Sequence, residues 1–171
     1  ISSIQFSNGQ TMSVADVIAA VGIDLPTTPD ADTVQGTSGR DNIDALAGDD
    51  TVSAGAGDDR VTLGAGNDVA DAGDGNDLVT GDDGDDTVYG GAGNDSLFDH
   101  AGNDTLAGGE GSDTLLSGFI SGLDGSYIQS GNKYLDGGNG DDELWSSGAG
   151  SDSLYGGAGN DTLGSIQGTY W

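Results

Sequence analysis

The sequence predicts an all-β fold, a parallel β-helix or solenoid of very short strands, on three observations. A nine-residue phase runs unbroken from Gly36 to Leu116 and resumes from Ile128 to Gly164. Within it the fourth residue is glycine in all thirteen units, and the eighth is always apolar. The sixth is aspartate in every unit but one, where Lys133 stands. A period this short marks a stacked repeat, not a domain of separate helices and sheets.

The chain opens differently. Ile4-Gln5-Phe6 alternates as a short strand, Asn8-Gly9 is a hairpin-type turn, and Gln10 to Met12 returns as a second strand. Ser13-Val14-Ala15-Asp16 has the spacing of a helix N-cap, with Asp where Glu or Gln is usual. Val14, Val17, Ile18 and Val21 share one helical face and Gly22 suits the position after the C-cap, which predicts a helix over about 13–21. Pro26 and Pro29 among Thr and Asp read as a linker from Asp24 to Gln35. Residues 1–35 are thus read as a small strand-turn-helix cap and its linker.

From Gly36 the repeat takes over, and the unit Gly90 to Phe98, GGAGNDSLF, shows its parts. Glycine turns the backbone through positive φ without a Cβ penalty and lets neighbouring chains approach closely. The last three residues make a short strand with one buried side chain between two outward ones. Such a strand is not stable alone, so each unit must stack on its neighbours. If each turn reverses direction, two units make one coil, and units two apart lie about 4.8 Å above one another, the inter-strand spacing. The sixth-position carboxylates then form two columns, with Asp41, Asp59, Asp77, Asp95 and Asp113 in one and Asp50, Asp68, Asp86 and Asp104 in the other.

Like charges at that spacing repel by about a kcal/mol in water and by several in a protein site, so the columns call for cations. A turn of exposed carbonyls with one carboxylate supplies oxygen alone, the donor set of a hard divalent ion. With no cysteine and a single histidine, zinc, copper and iron have almost no ligands. The chemistry favours Ca²⁺, bound as several ions.

The first block, 36–116, holds nine units and is followed by an eleven-residue insertion, 117–127, with Phe119, Ile120, Leu123 and Tyr127 among glycines and serines. Its apolar content predicts that it folds back onto the repeats; a partner-binding loop is the sharper alternative. The second block, 128–164, holds four units with Ser146 as one extra residue, and 165–171 form a tail. Lys133 has two readings. Its ammonium replaces a missing ion between Asp104 and Asp152 if the repeats resume in phase, or it is a surface lysine beside the insertion. Phe98, Leu116 and Trp145, all at ninth positions, would stack into an outward apolar stripe, packed by the insertion or open for docking.

Thirty-four glycines and thirty acidic residues, all but Glu110 and Glu143 aspartate, stand against three basic ones. That composition alone would suggest disorder, and the strict phase argues for order. A net charge of −27 at pH 7 speaks against nucleic-acid binding through phosphate and against anionic membranes. No membrane span or signal peptide is visible, and both ends read as cuts in a longer chain. Enzyme chemistry finds little footing, and no catalytic residue is expected. His100 sits on a turn without a second histidine, and HExxH, GxSxG and phosphate-loop motifs are absent. The repeat phase assigns the carboxylates to cations, not to a glycosidase pair.

The units closely resemble the GGxGxDxUx nonapeptides of the RTX (repeats-in-toxin) haemolysin-type calcium-binding family, over residues 36–116 and 128–164. The resemblance implies a β-roll with each ion held between turns two units apart by turn carbonyls and sixth-position aspartates. The residues so implied are Asp41, Asp50, Asp59, Asp68, Asp77, Asp86, Asp95, Asp104, Asp113, Asp142, Asp152 and Asp161. The first twenty or so residues are similar to the haemolysin-type calcium-binding related segment, IxFxNGxTxxxxDI, that precedes repeats in large secreted RTX proteins.

The resemblance further implies a bacterial protein, secreted by the type I route or held at the cell surface. Extracellular modules are tuned to about 10⁻⁴ to 10⁻³ M Ca²⁺, so ion binding and folding would occur together outside the cell. The leading expectation is a structural module of a larger adhesin or biofilm-type protein. The alternative is the C-terminal accessory domain of a secreted protease, lipase or alginate epimerase. An ice-binding roll is disfavoured, because third positions are mostly Ala (Ala47, Ala56, Ala65, Ala92, Ala101) broken by Asp74, Asp83 and Glu110. The repeats do not specify the protein or carbohydrate partner of a parent chain.

Overall fold

The computed structural model describes residues 3–5, 11–13, 27–118 and 131–166. Strands β1 (Ser3–Gln5) and β2 (Thr11–Ser13) pair antiparallel with Ile4 opposite Met12, and the turn expected at Asn8-Gly9 lies outside the described residues. Beyond Ser13, which ends β2, the expected helix lies outside the described residues, and no helix occurs among those that are described.

The remaining strands form two parallel sheets of seven. In spatial order one sheet holds β3 (Thr33–Gln35), β5 (Thr51–Ala56), β7 (Val69–Asp74), β9 (Thr87–Ala92), β11 (Thr105–Glu110), β13 (Tyr134–Asn139) and β15 (Ser153–Ala158). The other holds β4 (Asn42–Asp44), β6 (Arg60–Ala65), β8 (Leu78–Asp83), β10 (Ser96–Asp99), β12 (Thr114–Ser117), β14 (Glu143–Ser147) and β16 (Thr162–Ile166). Successive strands alternate between the sheets, so the chain winds as a parallel β-solenoid.

Register follows the repeat. Thr51 lies beside Val69 and Val69 beside Thr87, a step of two units. Across the insertion Thr105 meets Tyr134, and Tyr134 then meets Ser153. Register is thus kept across the insertion, and Ser146, read as one extra residue, lies within β14 beside Ser117 and Ser165. Ser117, expected as the first inserted residue, instead ends β12, paired with Asp99 and Ser146.

Two expectations are corrected. Thr33–Gln35, read as the end of a linker, is the first strand of its sheet, with Val34 beside Val52. The turn before it has repeat chemistry. The Asp32 carboxylate accepts the Thr28 N–H at 2.6 Å, and the Asp32 N–H donates to Asp50 Oδ1 at 2.7 Å. Residues 27–35 are a further unit in phase, concealed because Asp30 stands where the others have glycine. The strand is also longer than three residues. In most units it spans six, crossing into the next unit, so that the first position faces inward as well as the eighth.

The core is therefore two side chains wide per strand. Val52, Val61, Val79, Val88 and Leu97 fill eighth positions, and Ala45, Ala54, Leu63 and Ala72 fill first positions. The sizes compensate: Leu63 occupies a first position in the one unit whose eighth residue is Ala70. Each fully buried Val or Leu contributes about 1.5–3 kcal/mol. Stacking this tight leaves the turns no room for a Cβ. At the fourth-position Gly84, φ is +142° and an added Cβ would lie 1.5 Å from the carbonyl oxygen of Gly66 in the turn below.

Candidate metal centre

Stacking brings the sixth-position aspartates into two buried columns. Asp41, Asp50, Asp59, Asp68, Asp77, Asp86, Asp95, Asp104, Asp113 and Asp142 are at most 2% exposed. Asp152 and Asp161, near the end of the solenoid, are half-buried. One rule governs their Oδ1 atoms beyond Asp41, whose Oδ1 accepts the Thr37 hydroxyl: each accepts the backbone N–H of the sixth residue one coil earlier. The Asp59 N–H donates to Asp77, that of Asp77 to Asp95, and that of Asp95 to Asp113, at 2.7 to 2.9 Å. In the other column the Asp50 N–H donates to Asp68 and that of Asp68 to Asp86, at 2.7 and 2.9 Å. The series passes the insertion, where the Asp113 N–H reaches Asp142 at 2.8 Å and the Asp142 N–H reaches Asp161 at 3.1 Å.

The second oxygen of these carboxylates is the informative one. Oδ2 of Asp50, Asp59, Asp68, Asp77, Asp86, Asp95, Asp113 and Asp142 is buried and has no hydrogen-bond partner. A buried polar atom without a partner costs about 1–3 kcal/mol, and more when charged, so such an oxygen calls for a ligand. Every atom that can serve is a carboxylate or backbone oxygen, the donor set of Ca²⁺.

Two members of the columns have Oδ2 satisfied by the chain itself. At the first coil, Asp41 Oδ2 accepts the Thr37 N–H at 2.5 Å. At Asp104, Oδ2 is paired with the Lys133 ammonium, and both side chains are fully buried. Lys133 Nζ also donates to the carbonyls of Gly102 at 2.6 Å and His100 at 3.5 Å. The surface-lysine reading of Lys133 is overturned by this burial. Its backbone N–H keeps the column rule, donating to Asp152 Oδ1 at 3.1 Å.

Beside this level lies a carboxylate that the repeat pattern did not single out. Asp99, at a first position, is 1% exposed and points into the space between Asp86 and Asp104. The three carboxylates offer oxygens within 4.8 Å of one another, and Oδ2 of both Asp86 and Asp99 is unpartnered. Asp99 Oδ1 accepts the His100 N–H at 2.6 Å. First positions vary among Gly, Ala, Leu, Ile, Ser and Asp across the thirteen units, so only its inward geometry marks Asp99 as notable.

Burial raises the carboxyls of Asp77, Asp86 and Asp95 to about 6, 7 and 7; the N–H from the preceding coil opposes this, and neighbouring carboxylates add to it. Asp59, Asp68, Asp113 and Asp142 are raised for the same reason. For Asp99, burial comes first, followed by repulsion from Asp104 and Asp86. A carboxyl raised in the fold and ordinary when unfolded costs nothing below the unfolded value near 3.8, and destabilises the ion-free fold as pH rises through 6 to 7. In excess chelator, strand content measured by circular dichroism should therefore increase on acidification from about pH 8 to about pH 4. Unchanged strand content over that range would contradict these shifts.

Outside the columns, the fifth positions form a second ladder. The Asn76 N–H donates to Asp58 Oδ1 and the Asn94 N–H to Asn76 Oδ1, each at 2.9 Å, and Asn103 repeats the pattern with Asp85 at 2.8 Å. These side chains are exposed and tie the turns together at the rim. His100 is half-buried, with Nδ1 2.9 Å from Asp82 Oδ1. Phe98, Leu116 and Trp145 do stack in register as half-buried neighbours, while residues 119–127 of the insertion expected to cover them lie outside the described residues.

The repeat is also found by comparison with protein families. The model of the RTX calcium-binding nonapeptide repeat (4 copies) matches residues 27–61, 55–88, 62–97, 80–115 and 146–164, well over half of the chain. The chain belongs to the RTX calcium-binding nonapeptide repeat family. No curated protein and no solved structure matches it. RTX nonapeptide repeats bind Ca²⁺, and the unpartnered, buried carboxylate oxygens of this RTX chain fit several such ions. The match begins at residue 27, in agreement with the additional unit at 27–35.

Proposed function

We propose that this chain is a calcium-dependent structural module of a larger secreted or cell-surface bacterial protein, of adhesin or biofilm type, which folds and stiffens on Ca²⁺ outside the cell. The observation that carries the reading is the row of buried, unpartnered Oδ2 atoms running along both columns. Asp41, Asp50, Asp59, Asp68, Asp77, Asp86, Asp95, Asp104, Asp113, Asp142, Asp152 and Asp161 are assigned to the ion-binding turns. Within them, unpartnered Oδ2 atoms are the direct ligands, and Oδ1 atoms hold the turns in register. Asp99 adds a third carboxylate to the level between Asp86 and Asp104.

A structural role accords with a family of repeats and with sheets whose acidic side chains are consumed in stacking. A divalent ion between two carboxylates is charge-neutral, which removes the repulsion that would otherwise open the coils.

Substitution at Asp77 separates the two oxygens' roles. Asp77→Asn keeps an acceptor for the Asp59 N–H and removes the charge, whereas Asp77→Ala removes both. In a calcium titration followed by circular dichroism, the folding midpoint should rise severalfold for Asn and further for Ala. Midpoints equal to wild type would count against the assignment. Asp99→Gly installs the residue found at the corresponding Gly81, Gly90 and Gly108, and should weaken one ion while leaving the fold intact. An unchanged calorimetric isotherm for Asp99→Gly would remove Asp99 from the site.

A further inference from the structure

The ions assigned to the turns would make every coil depend on calcium, but one joint differs from the others. Along both columns, interior Oδ2 atoms are unpartnered up to Asp86 and Asp95 and again at Asp113 and Asp142. Asp104 alone among these interior positions has its Oδ2 satisfied, by the Lys133 ammonium and, at 3.4 Å, by the Ser117 hydroxyl. Lys133 also stands at the one sixth position without a carboxylate. The two exceptions face each other across a single gap between coils.

We propose that Lys133 is a tethered cation that permanently fills the calcium position above the turn 100–104, so that in this column the coils on either side of the insertion are joined without an ion. The inference rests on the calcium reading given above and extends it to the one level where that reading does not apply.

The contacts of the ammonium support this. Nζ meets the second-position carbonyl of His100, the fourth-position carbonyl of Gly102 and the sixth-position carboxylate of Asp104, all from one turn. These are the oxygens that the turns with a sixth-position aspartate present in the same sequence positions. Charge is balanced in the same way as elsewhere. Two carboxylates neutralise one divalent ion at an ordinary level, and here one carboxylate meets one ammonium. An ammonium donates hydrogen bonds and attracts carbonyls at about 2.7–2.9 Å, so it suits a cage of oxygens without the six to eight ligands that Ca²⁺ requires. Removing one partner of a buried pair leaves the other charge buried and uncompensated, so the joint depends on both Asp104 and Lys133.

The placement has a structural consequence. Thr105 pairs with Tyr134, and Thr114 with Glu143, across a chain excursion found between no other paired strands of the solenoid. Closing a longer loop costs more entropy, so an ion-free joint in one column helps where closure is most costly. A cation carried by Lys133, one residue before β13, arrives as soon as that strand docks. Lys133 also supplies no carboxylate to the level above, where Asp152 is half-buried, and that level is correspondingly weak for calcium.

Native mass spectrometry of the calcium-loaded chain, together with anomalous scattering from crystals grown in calcium, tests the proposal. Wild type should show ions along both columns and none on Asp104 Oδ2. Lys133→Asp, which restores the repeat, should bind at least one more ion, placed at Asp104. Lys133→Met should bind no additional ion at Asp104 and should be less stable than wild type in calcium. A wild-type ion on Asp104 Oδ2 with the lysine turned away would overturn the inference, as would a folded Lys133→Asp variant with unchanged ion number. Should that variant fail to fold, the wild-type ion positions decide. Absence of ions from every level would instead sink the calcium assignment itself.

Discussion

Stripped of calcium by excess chelator at neutral pH, the chain is expected to lose most of its β-sheet circular dichroism and to regain it when calcium is returned. The expectation follows from the buried columns. At pH 7 the chain carries a net charge of −27, and eight of its stacked sixth-position carboxylates have one oxygen unsatisfied. Each such group costs about 1–3 kcal/mol even before repulsion between levels is considered, and a domain has only about 5–15 kcal/mol of stability in total. The apolar core is narrow, at most two inward side chains per strand, and shrinks further where first positions are glycine, as at Gly90 and Gly108. It does not outweigh several buried charges. Because the metal binds the folded turns and not the open chain, the calcium midpoint should also shift with temperature and denaturant. Full strand signal in chelator at neutral pH would contradict this balance of terms.

Gly84→Ala is expected to destabilise the calcium-loaded protein by about 3 kcal/mol or more, the largest effect of any methyl-sized change in the turns. Two penalties combine. An alanine at φ +142° is in a region that L side chains avoid, and its Cβ would lie 1.5 Å from the Gly66 carbonyl oxygen. That oxygen is backbone in the neighbouring coil, so relief requires the coils to part. Parting them separates Asp68 from Asp86, whose N–H to Oδ1 bond of 2.9 Å spans the same gap. Chemical denaturation in saturating calcium would measure the loss, and the calcium midpoint should rise with it. By contrast Thr80→Ala, on the outward side of β8, should stay within about 0.5 kcal/mol of wild type. A Gly84→Ala protein of wild-type stability would show that the turns stack more loosely than the close contacts here require.

Much of this was legible in the sequence because the physical constraints repeat with the chain. The two-unit coil, the two columns and the return of the repeat after the insertion all followed from counting in nines, since stacking strands demand a constant step. Lys133 was legible as an anomaly, though its burial was not, because sequence does not reveal which way a lone lysine turns. Three features escaped for different reasons. The unit at 27–35 lacks the glycine used to count, yet Asp30 fits there while Asp32 keeps the role of the sixth residue. The inward first position varies among Gly, Ala, Leu, Ile, Ser and Asp, because it shares interior volume with the eighth residue and with the carboxylate of its own turn. Asp99 was hidden by that variation. The fifth-position ladder was overlooked because Asp and Asn alternate there at the solvent face, where polar residues ordinarily need no explanation.

A crystal structure of the calcium-loaded chain, with ions located by anomalous scattering, bears most directly on the central claim. Ions should lie between successive coils along both columns, each bonded to Oδ2 of aspartates such as Asp59, Asp77 and Asp95 and to turn carbonyls. If those oxygens instead faced ordered water or protonated neighbours, with calcium confined to exposed rim carboxylates, the claim that the metal holds the coils together would be wrong.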